Sequence, residues 1–218
     1  MPAQCMLTSL HCPLAACSDE CLPALAGMVC GAAGTLPTSA SAVRALQLTL
    51  LSEQLAQQPG LWHGVSRLTQ LTRLELGMPA YVYHQLPLDR MRAVLALPAL
   101  RSLRLGFLSV CDGDEQTELE LQLLAQLTGL ERLQLCALVD RSYPMPALAA
   151  LTQLTCLQLT DVDVVAANLV GDHDPWLVRA DLSGLPTSLV ELQLPTHLGP
   201  VGWGELPQLR HLVAPCGL

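Results

Sequence analysis

The sequence contains no lysine, so its eleven basic residues are all arginines, and charged residues make up only 14% of the chain. Aromatic residues account for 3% of the 218 positions. The formal net charge is −8 and the pI is near 5.1. Proteins that bind nucleic acid usually carry basic stripes that neutralise phosphates. The small number of charged residues and the negative net charge therefore predict that nucleic acid is not a partner.

Long apolar runs are also lacking. The apolar stretch from Leu22 to Leu36 is shorter than the roughly 18 residues that suggest a membrane-spanning helix. No basic residue precedes it, because the first arginine is Arg44, and a secretory signal needs a basic region before its apolar run. We therefore expect a cytoplasmic protein with no membrane partner, whose nine cysteines are mostly reduced.

Residues 1–41 are a poorly defined N-terminal segment that contains five of the cysteines and shows no period. A metal-bound cap built from His11, Cys12, Cys17 and Cys21 is conceivable. Zinc knuckles, however, repeat a pair of cysteines two to four residues apart, and this spacing does not match. The favoured interpretation is that the cysteines act as small apolar side chains. The sequence thus predicts no metal and no cofactor.

Leucine is abundant: apolar residues make up 51% of the chain, and nearly a quarter of all residues are leucine. One side-chain shape that fills most interior positions suits a regular stacked structure. From residue 42 onward, seven copies of Leu-x-x-Leu-x-Leu follow one another, with substitutions in the first and last copies. Their central leucines are Leu46, Leu74, Leu103, Leu133, Leu157, Leu192 and Leu212, at intervals of 28, 29, 30, 24, 35 and 20 residues.

Most of these intervals lie near the 20 to 29 residues of leucine-rich repeats. Six copies also share a Leu-Thr or Leu-Pro lead-in, at Leu68, Leu97, Leu127, Leu151, Leu185 and Leu206. Within a copy such as Leu74-Glu75-Leu76, the leucines alternate with a polar residue, which is typical of a strand with one buried face. Helical spacing follows in residues 88–97 and 115–127, and Pro146 is placed to begin a helix through Ala150. We predict a repeat domain of about seven repeats over residues 42–218.

On these motifs the chain resembles the leucine-rich-repeat family over roughly four-fifths of its length. The resemblance implies an α/β fold, namely a leucine-rich-repeat solenoid shaped as a curved horseshoe. Its parallel sheet is expected on the concave face, and its helices and loops on the convex face. The sequence departs from the family where an asparagine ladder should lie, at Leu51, Pro79, Leu108, Leu138, Val162 and His197. We therefore expect irregular, more mobile turns there.

The residues that flank and separate the paired leucines are expected to form three columns on the exposed face of the sheet. Their side chains are not needed for the core, so they are free to bind a partner. Arg73, Arg104 and Arg132 concentrate positive charge in the earlier repeats, which favours an acidic protein or peptide, although Glu75 could pair with a neighbouring arginine instead. The expected partner-binding residues are Arg73, Glu75, Ser102, Arg104, Arg132, Gln134, Gln158, Glu191 and Gln193.

The sequence therefore predicts a non-enzymatic protein–protein interaction module. An enzyme with an unrecognised site is an alternative, but the sequence holds no phosphate loop, no nucleophile elbow and no His-Glu-x-x-His pair. A second alternative is a substrate-recognition adaptor of a ubiquitin ligase, because leucine-rich repeats follow an F-box in some families and Leu22-Pro23 faintly resembles an F-box opening. Since related repeat proteins occur there, the cytoskeleton or the axoneme of a cilium is an alternative location.

Two further segments bear on partners. The sequence Val213 to Leu218 contains no polar capping element, so a homodimer through this C-terminal edge is one expectation, and a longer repeat array is another. Acidic residues cluster in 111–116 and 161–182, but their spacing does not match a calcium loop, and solvated loops are favoured.

Overall fold

The computed structural model describes residues 9–13, 43–49, 59–77, 88–110, 122–139, 145–161, 184–194 and 206–213. These residues contain one parallel sheet of eight strands whose order follows the order of the chain. The strands are β1 (Ser9–Pro13), β2 (Ala45–Thr49), β3 (Arg73–Gly77), β4 (Ser102–Val110), β5 (Arg132–Val139), β6 (Cys156–Asp161), β7 (Glu191–Gln193) and β8 (His211–Val213). Each strand pairs with the next strand along the chain, as expected when repeats contact only their neighbours.

The register of the sheet is the one that the leucine pattern predicts. Leu46 lies level with Leu74, which lies level with Leu103, and the same alignment continues through all seven central leucines to Leu212. The leucines of β3 are fully buried, while its alternate residues Arg73, Glu75 and Gly77 are exposed or half-buried. The predicted α/β leucine-rich-repeat solenoid, with its parallel sheet, is therefore confirmed.

The Leu-Thr and Leu-Pro lead-ins form short turns that deliver the chain into each strand. In the third strand's lead-in, the backbone N–H of Leu71 donates to the carbonyl oxygen of Leu68 at 2.8 Å, and the corresponding bond recurs at Leu100, Leu130, Leu154 and Leu209. At Leu189 the acceptor is Pro186, because this lead-in is one residue longer. Both leucines of each turn pack into the core, which explains why the lead-in repeats together with the strand.

A second regular feature joins neighbouring repeats just before each strand. The carbonyl oxygen of Arg44 accepts the backbone N–H groups of Thr72 and Arg73 at 2.8 and 3.0 Å, and the same two-donor arrangement recurs down the sheet. The hydroxyl of Thr72 donates a third hydrogen bond to the carbonyl oxygen of Arg44 at 3.0 Å. In the same way, the hydroxyl of Thr155 donates to the carbonyl oxygen of Glu131 at 3.1 Å. In two repeats, therefore, threonine hydroxyls reinforce the start of the strand.

The return segments contribute helices α1 (Pro59–Ser66) and α2 (Leu88–Leu95) and the 3-10 helix Met145–Ala150. Trp62 of α1 is 2% exposed and is the largest fully buried side chain described. Val94 and Leu97 are buried in the same cluster as the strand leucines, so the predicted helical spacing of residues 88–97 is confirmed. Within the other predicted helix, residues 122–124 are helical, and the segment that starts near Pro146 is a 3-10 helix rather than an α-helix.

The irregular turns expected without an asparagine ladder are not found in β4 and β5. These strands continue through Leu108 and Leu138, two of the positions where asparagine would lie, and their pairing shifts register between Leu105 and Leu108. Such a shift is a β-bulge or a related irregularity, which bends the strand locally. At these two positions the chain is irregular strand rather than a turn. The other four positions lie outside the described residues.

Strand β1 was not predicted. It pairs with β2 in parallel, with Leu10 level with Leu46 and Cys12 level with Leu48. The sequence signal was present, since Leu7-Thr-Ser-Leu10-His-Cys12 follows the repeat pattern with cysteine in place of the final leucine. Part of the 1–41 segment therefore belongs to the same sheet as the repeats. The domain boundary at residue 42 stays a prediction, because most of that segment lies outside the described residues.

Candidate functional site

A shallow groove lies on the face of the sheet opposite the leucine core, over β3 to β6. Its volume is about 410 Å³. Leu103 and Leu133 lie beneath the groove with their side chains buried on the opposite face of the sheet, and the other lining side chains are mostly charged or polar. The groove is lined by Thr72, Arg73, Glu75, Arg101, Ser102, Leu103, Arg104, Glu131, Arg132, Leu133, Gln134, Cys156 and Gln158.

Glu75 lies between two arginines at one side of the groove. The guanidinium of Arg73 contacts its Oε1 through Nη2 at 2.7 Å and through Nε at 2.8 Å. Arg104, on the neighbouring strand, approaches Oε2 only to 3.9 Å. The Glu75 side chain is 14% exposed, against 62% for Arg73 and 48% for Arg104. Glu75 therefore forms a short ion pair with Arg73. Because Arg104 is farther from Glu75, its guanidinium keeps most of its hydrogen-bonding capacity.

The next two strands present four hydrogen-bond donors side by side. The register places Ser102 beside Arg132 and Arg104 beside Gln134, so these residues occupy the corners of a quadrilateral on β4 and β5. We call these four residues the donor block. Arg104 and Arg132 are exposed, while Ser102 and Gln134 are half-buried. Among the residues that the structure describes, Ser102 and Gln134 have no side-chain hydrogen bond and Arg132 has no ion pair.

The rim of the groove is formed by residues that directly precede the strands. Arg101 donates from Nη1 to the carbonyl oxygen of Gly129 at 2.8 Å, and its Nε lies 3.9 Å from Glu131. A Cβ atom at position 129 would lie 2.5 Å from Arg101 Nη1, so the absence of a side chain there leaves space for the guanidinium. Both members of the Arg101–Glu131 pair are more than half exposed, and such pairs contribute little to stability.

At the far side of the groove, Cys156 contacts Glu191. Burial, followed by the nearby Glu191 carboxylate and its hydrogen bond with the thiol, raises the pKa of Cys156 to about 11, although Arg132 acts in the opposite direction. The thiol is therefore protonated at neutral pH. Gln158 donates to Glu191, from Nε2 to Oε1 at 3.4 Å. Gln158 thus helps to hold this carboxylate at the sheet surface.

The groove carries positive charge on an acidic protein. Its lining includes four arginines and two glutamates, an excess of two formal positive charges, whereas the whole chain carries −8. Because Glu75 is engaged by Arg73 and Glu131 lies at the rim near Arg101, the uncompensated charge is concentrated at Arg104 and Arg132. The groove is therefore suited to an anionic group.

Seven of the nine residues predicted to bind a partner line this groove: Arg73, Glu75, Ser102, Arg104, Arg132, Gln134 and Gln158. The other two, Glu191 and Gln193, lie in β7 at the matching register positions, outside the groove lining. Whether any of the nine binds a partner stays a prediction. The arrangement does show that one of the three predicted arginines, Arg73, is already paired with Glu75.

Sequence reasoning missed the residues just before the strands. Thr72, Arg101 and Glu131 line the groove although they precede the three predicted columns. Their signal was present, because they occupy the same position of successive repeats, immediately before the residue that begins each strand. Cys156 flanks the central Leu157 of its repeat and so belongs to the predicted columns, but it was not selected as a site residue.

Several sequence-based hypotheses fall partly or wholly outside the described residues. These include the F-box-like Leu22-Pro23 and nearly all of the two acidic segments, 111–116 and 161–182. Within the described residues, no group of three or more His, Cys, Asp or Glu side chains could hold a metal ion. None of the helices in this part of the chain is both long enough and apolar enough to cross a membrane.

The chain was compared with protein families, with curated proteins and with solved structures. No model of a known protein family matches the chain, and no curated protein matches it. Among solved structures, the chain is similar to an internalin (inlF) from Listeria monocytogenes, with a TM-score of 0.38 and 16% sequence identity. The match covers 80% of this chain and 54% of the internalin chain, so this chain spans about half the length of the internalin. The assignment of the fold therefore rests on the register of the sheet.

Proposed function

We propose that this protein is a non-enzymatic interaction module that binds an acidic segment of another protein in the groove over β3 to β6. The observation that carries the proposal is the concentration of exposed arginine on an otherwise acidic protein. Arg104 is 48% exposed and lies 3.9 Å from the nearest carboxylate oxygen, and Arg132 is exposed without an ion pair among the described residues. Guanidinium groups bind carboxylates through two parallel hydrogen bonds, which gives both attraction and geometry.

The construction of the sheet supports the same proposal. The buried leucines hold the backbone of every strand in a fixed register, so the outward side chains are presented on a rigid platform. A rigid platform lowers the entropic cost of binding, because fewer groups must be ordered when the partner arrives.

The proposal can be tested with degenerate peptide libraries of equal length that are rich in acidic, uncharged or basic residues. Binding to the purified protein is measured by fluorescence anisotropy at low and high salt. We expect the acidic library to bind most tightly, and its affinity to fall as salt rises, because the groove is exposed to solvent. Alanine at both Arg104 and Arg132 should abolish the preference for acidic peptides.

A matched control is available on helix α2. Arg92 is an exposed arginine outside the groove, so Arg92→Ala, compared with each single groove variant, removes one positive charge without touching the groove. We expect this variant to bind the acidic library as the unmodified protein does. Equal binding of all three libraries, or an equal loss of affinity in the Arg92 and groove variants, would overturn the proposal.

A further inference from the structure

Each of the four residues of the donor block carries a hydrogen-bond donor of a kind that binds oxyanions. Two guanidinium groups lie at diagonal corners, at Arg104 and Arg132, and the other corners hold the Ser102 hydroxyl and the Gln134 carboxamide. All four side chains line the same groove. None of the four corners is a carboxylate, so the block itself carries two formal positive charges.

The two carboxylates that line the groove do not compete strongly for these donors. Glu75 is bound to Arg73 at 2.7 and 2.8 Å and comes no closer than 3.9 Å to Arg104. Glu131 lies 3.9 Å from Arg101 and is 57% exposed. Arg132 has neither as an ion-pair partner within the described part of the chain. An incoming anion can therefore bind both guanidinium groups without first breaking a short ion pair.

The number of donors and the amount of charge distinguish between two kinds of anion. A carboxylate carries one negative charge on two oxygens, and a single guanidinium can satisfy both oxygens. A phosphate monoester carries about −1.5 to −2 charges at pH 7 and three strong acceptor oxygens. Two guanidinium groups supplemented by a hydroxyl and an amide match the second group better, in both charge and number of hydrogen bonds.

We propose that the donor block binds the phosphate group of a phosphorylated serine or threonine in a segment of the partner protein. This inference rests on the proposed function and specifies the chemistry of the partner. The groove of about 410 Å³ is larger than a phosphate group, so residues next to the phosphorylated side chain also have room in it. A nucleic-acid phosphate is disfavoured as the source because the chain as a whole carries −8.

Three degenerate peptide libraries, identical except for a central phosphoserine, glutamate or serine, provide the test. Each is titrated into the purified full-length chain, and binding is followed by fluorescence anisotropy. We expect the phosphoserine library to bind about tenfold or more tightly than the glutamate library, because charge-assisted hydrogen bonds to both arginines form only with the phosphate. Arg104→Gln and Arg132→Gln should each remove most of that difference, whereas Arg92→Gln on α2 should leave it unchanged.

The possible outcomes separate this inference from the proposed function. Equal binding of the phosphoserine and glutamate libraries overturns the phosphate inference and leaves the binding of acidic peptides in place. Failure of both libraries to bind overturns the two proposals together. A phosphoserine preference that survives both glutamine variants overturns the assignment to the donor block. Displacement of the phosphopeptides by a single-stranded oligonucleotide of equal charge at lower concentration would instead identify nucleic acid as the source of the phosphate. Circular dichroism checks that each variant retains the fold.

Discussion

Replacing Glu75 with glutamine should strengthen the binding of acidic peptides. The substitution removes the negative charge that lies 3.9 Å from Arg104 and 2.7 Å from Arg73, and it keeps a side chain of nearly the same shape. It therefore releases the Arg73 guanidinium from its short ion pair and relieves the repulsion between Glu75 and a bound anion. Both effects act in the same direction.

The magnitude follows from the separation of the charges. An anion that accepts a hydrogen bond of about 2.8 Å from Arg104 would lie about 7 Å from the Glu75 carboxylate. At this distance two unit charges repel by about 0.6 kcal/mol at the dielectric constant of water and about 2.4 kcal/mol at an effective value of 20. The 48% and 62% exposure of Arg104 and Arg73 favours the lower part of this range. We therefore expect an affinity gain of about threefold to tenfold.

Fluorescence anisotropy titration with the acidic library measures this gain. The gain should shrink as the salt concentration rises, because the screening length falls to about 10 Å at 0.1 M and about 3 Å at 1 M. Arg73→Gln should lower the affinity, because it leaves Glu75 free to pair with Arg104, and the double variant should lie near the unmodified protein. An unchanged affinity for Glu75→Gln would mean that Glu75 does not oppose the anion, and a weaker affinity would mean that it assists binding. Either result would refute the argument.

Other predictions concern the core, the strand starts and the buried thiol. Leu133→Ala should lower the free energy of unfolding by about 2–5 kcal/mol in urea titration, because Leu133 is 1% exposed at the centre of the sheet. Thr72→Val should cost about 0.5–1.5 kcal/mol through loss of its 3.0 Å hydrogen bond, whereas Thr69→Val, at an exposed position, should cost less. Alkylation of Cys156, followed by mass mapping, should stay slow until the pH approaches its pKa of about 11, and Glu191→Gln should lower that pKa and accelerate the reaction. Since the pKa is raised from 9.0, the contribution of the thiol to stability is complete below about pH 9 and is lost as the pH rises towards 11.

Each of these predictions has a contradicting result. Tolerance of Leu133→Ala with no measurable loss of stability would show that this leucine does not fill the core. Equal costs at Thr72 and Thr69 would remove the role assigned to the hydroxyl bond. Rapid alkylation of Cys156 at neutral pH, unaffected by Glu191→Gln, would contradict both its burial and its contact with that carboxylate.

Much of the sheet could be predicted because the spacing of the leucines alone determines the register of its strands. Leucines spaced by three and then by two residues place one buried face level in every strand, and Leu74, Leu103 and Leu133 are aligned as that rule predicts. The rule is weaker where a residue is replaced. Strand β1 was missed because Cys12 stands where leucine is expected.

The groove was harder to predict, because its chemistry depends on distances between neighbouring side chains. The sequence placed Arg73, Glu75 and Arg104 on the same face, but it could not show that Glu75 bonds Arg73 at 2.7 Å and leaves Arg104 at 3.9 Å. The contact of Cys156 with Glu191 likewise requires side-chain conformations that a repeat pattern does not specify.

The central claim is that Arg104 and Arg132 bind an anionic segment of a partner protein. The most direct measurement is the NMR spectrum of the arginine Nε–H groups. Because the chain contains only eleven arginines and no lysine, this spectrum contains few resonances and reports on every basic side chain except histidine. Addition of the acidic library should shift the resonances of Arg104 and Arg132 in a saturable manner and leave that of Arg92 unchanged. Shifts confined to arginines outside the groove, or the absence of any shift at saturating peptide, would contradict the claim.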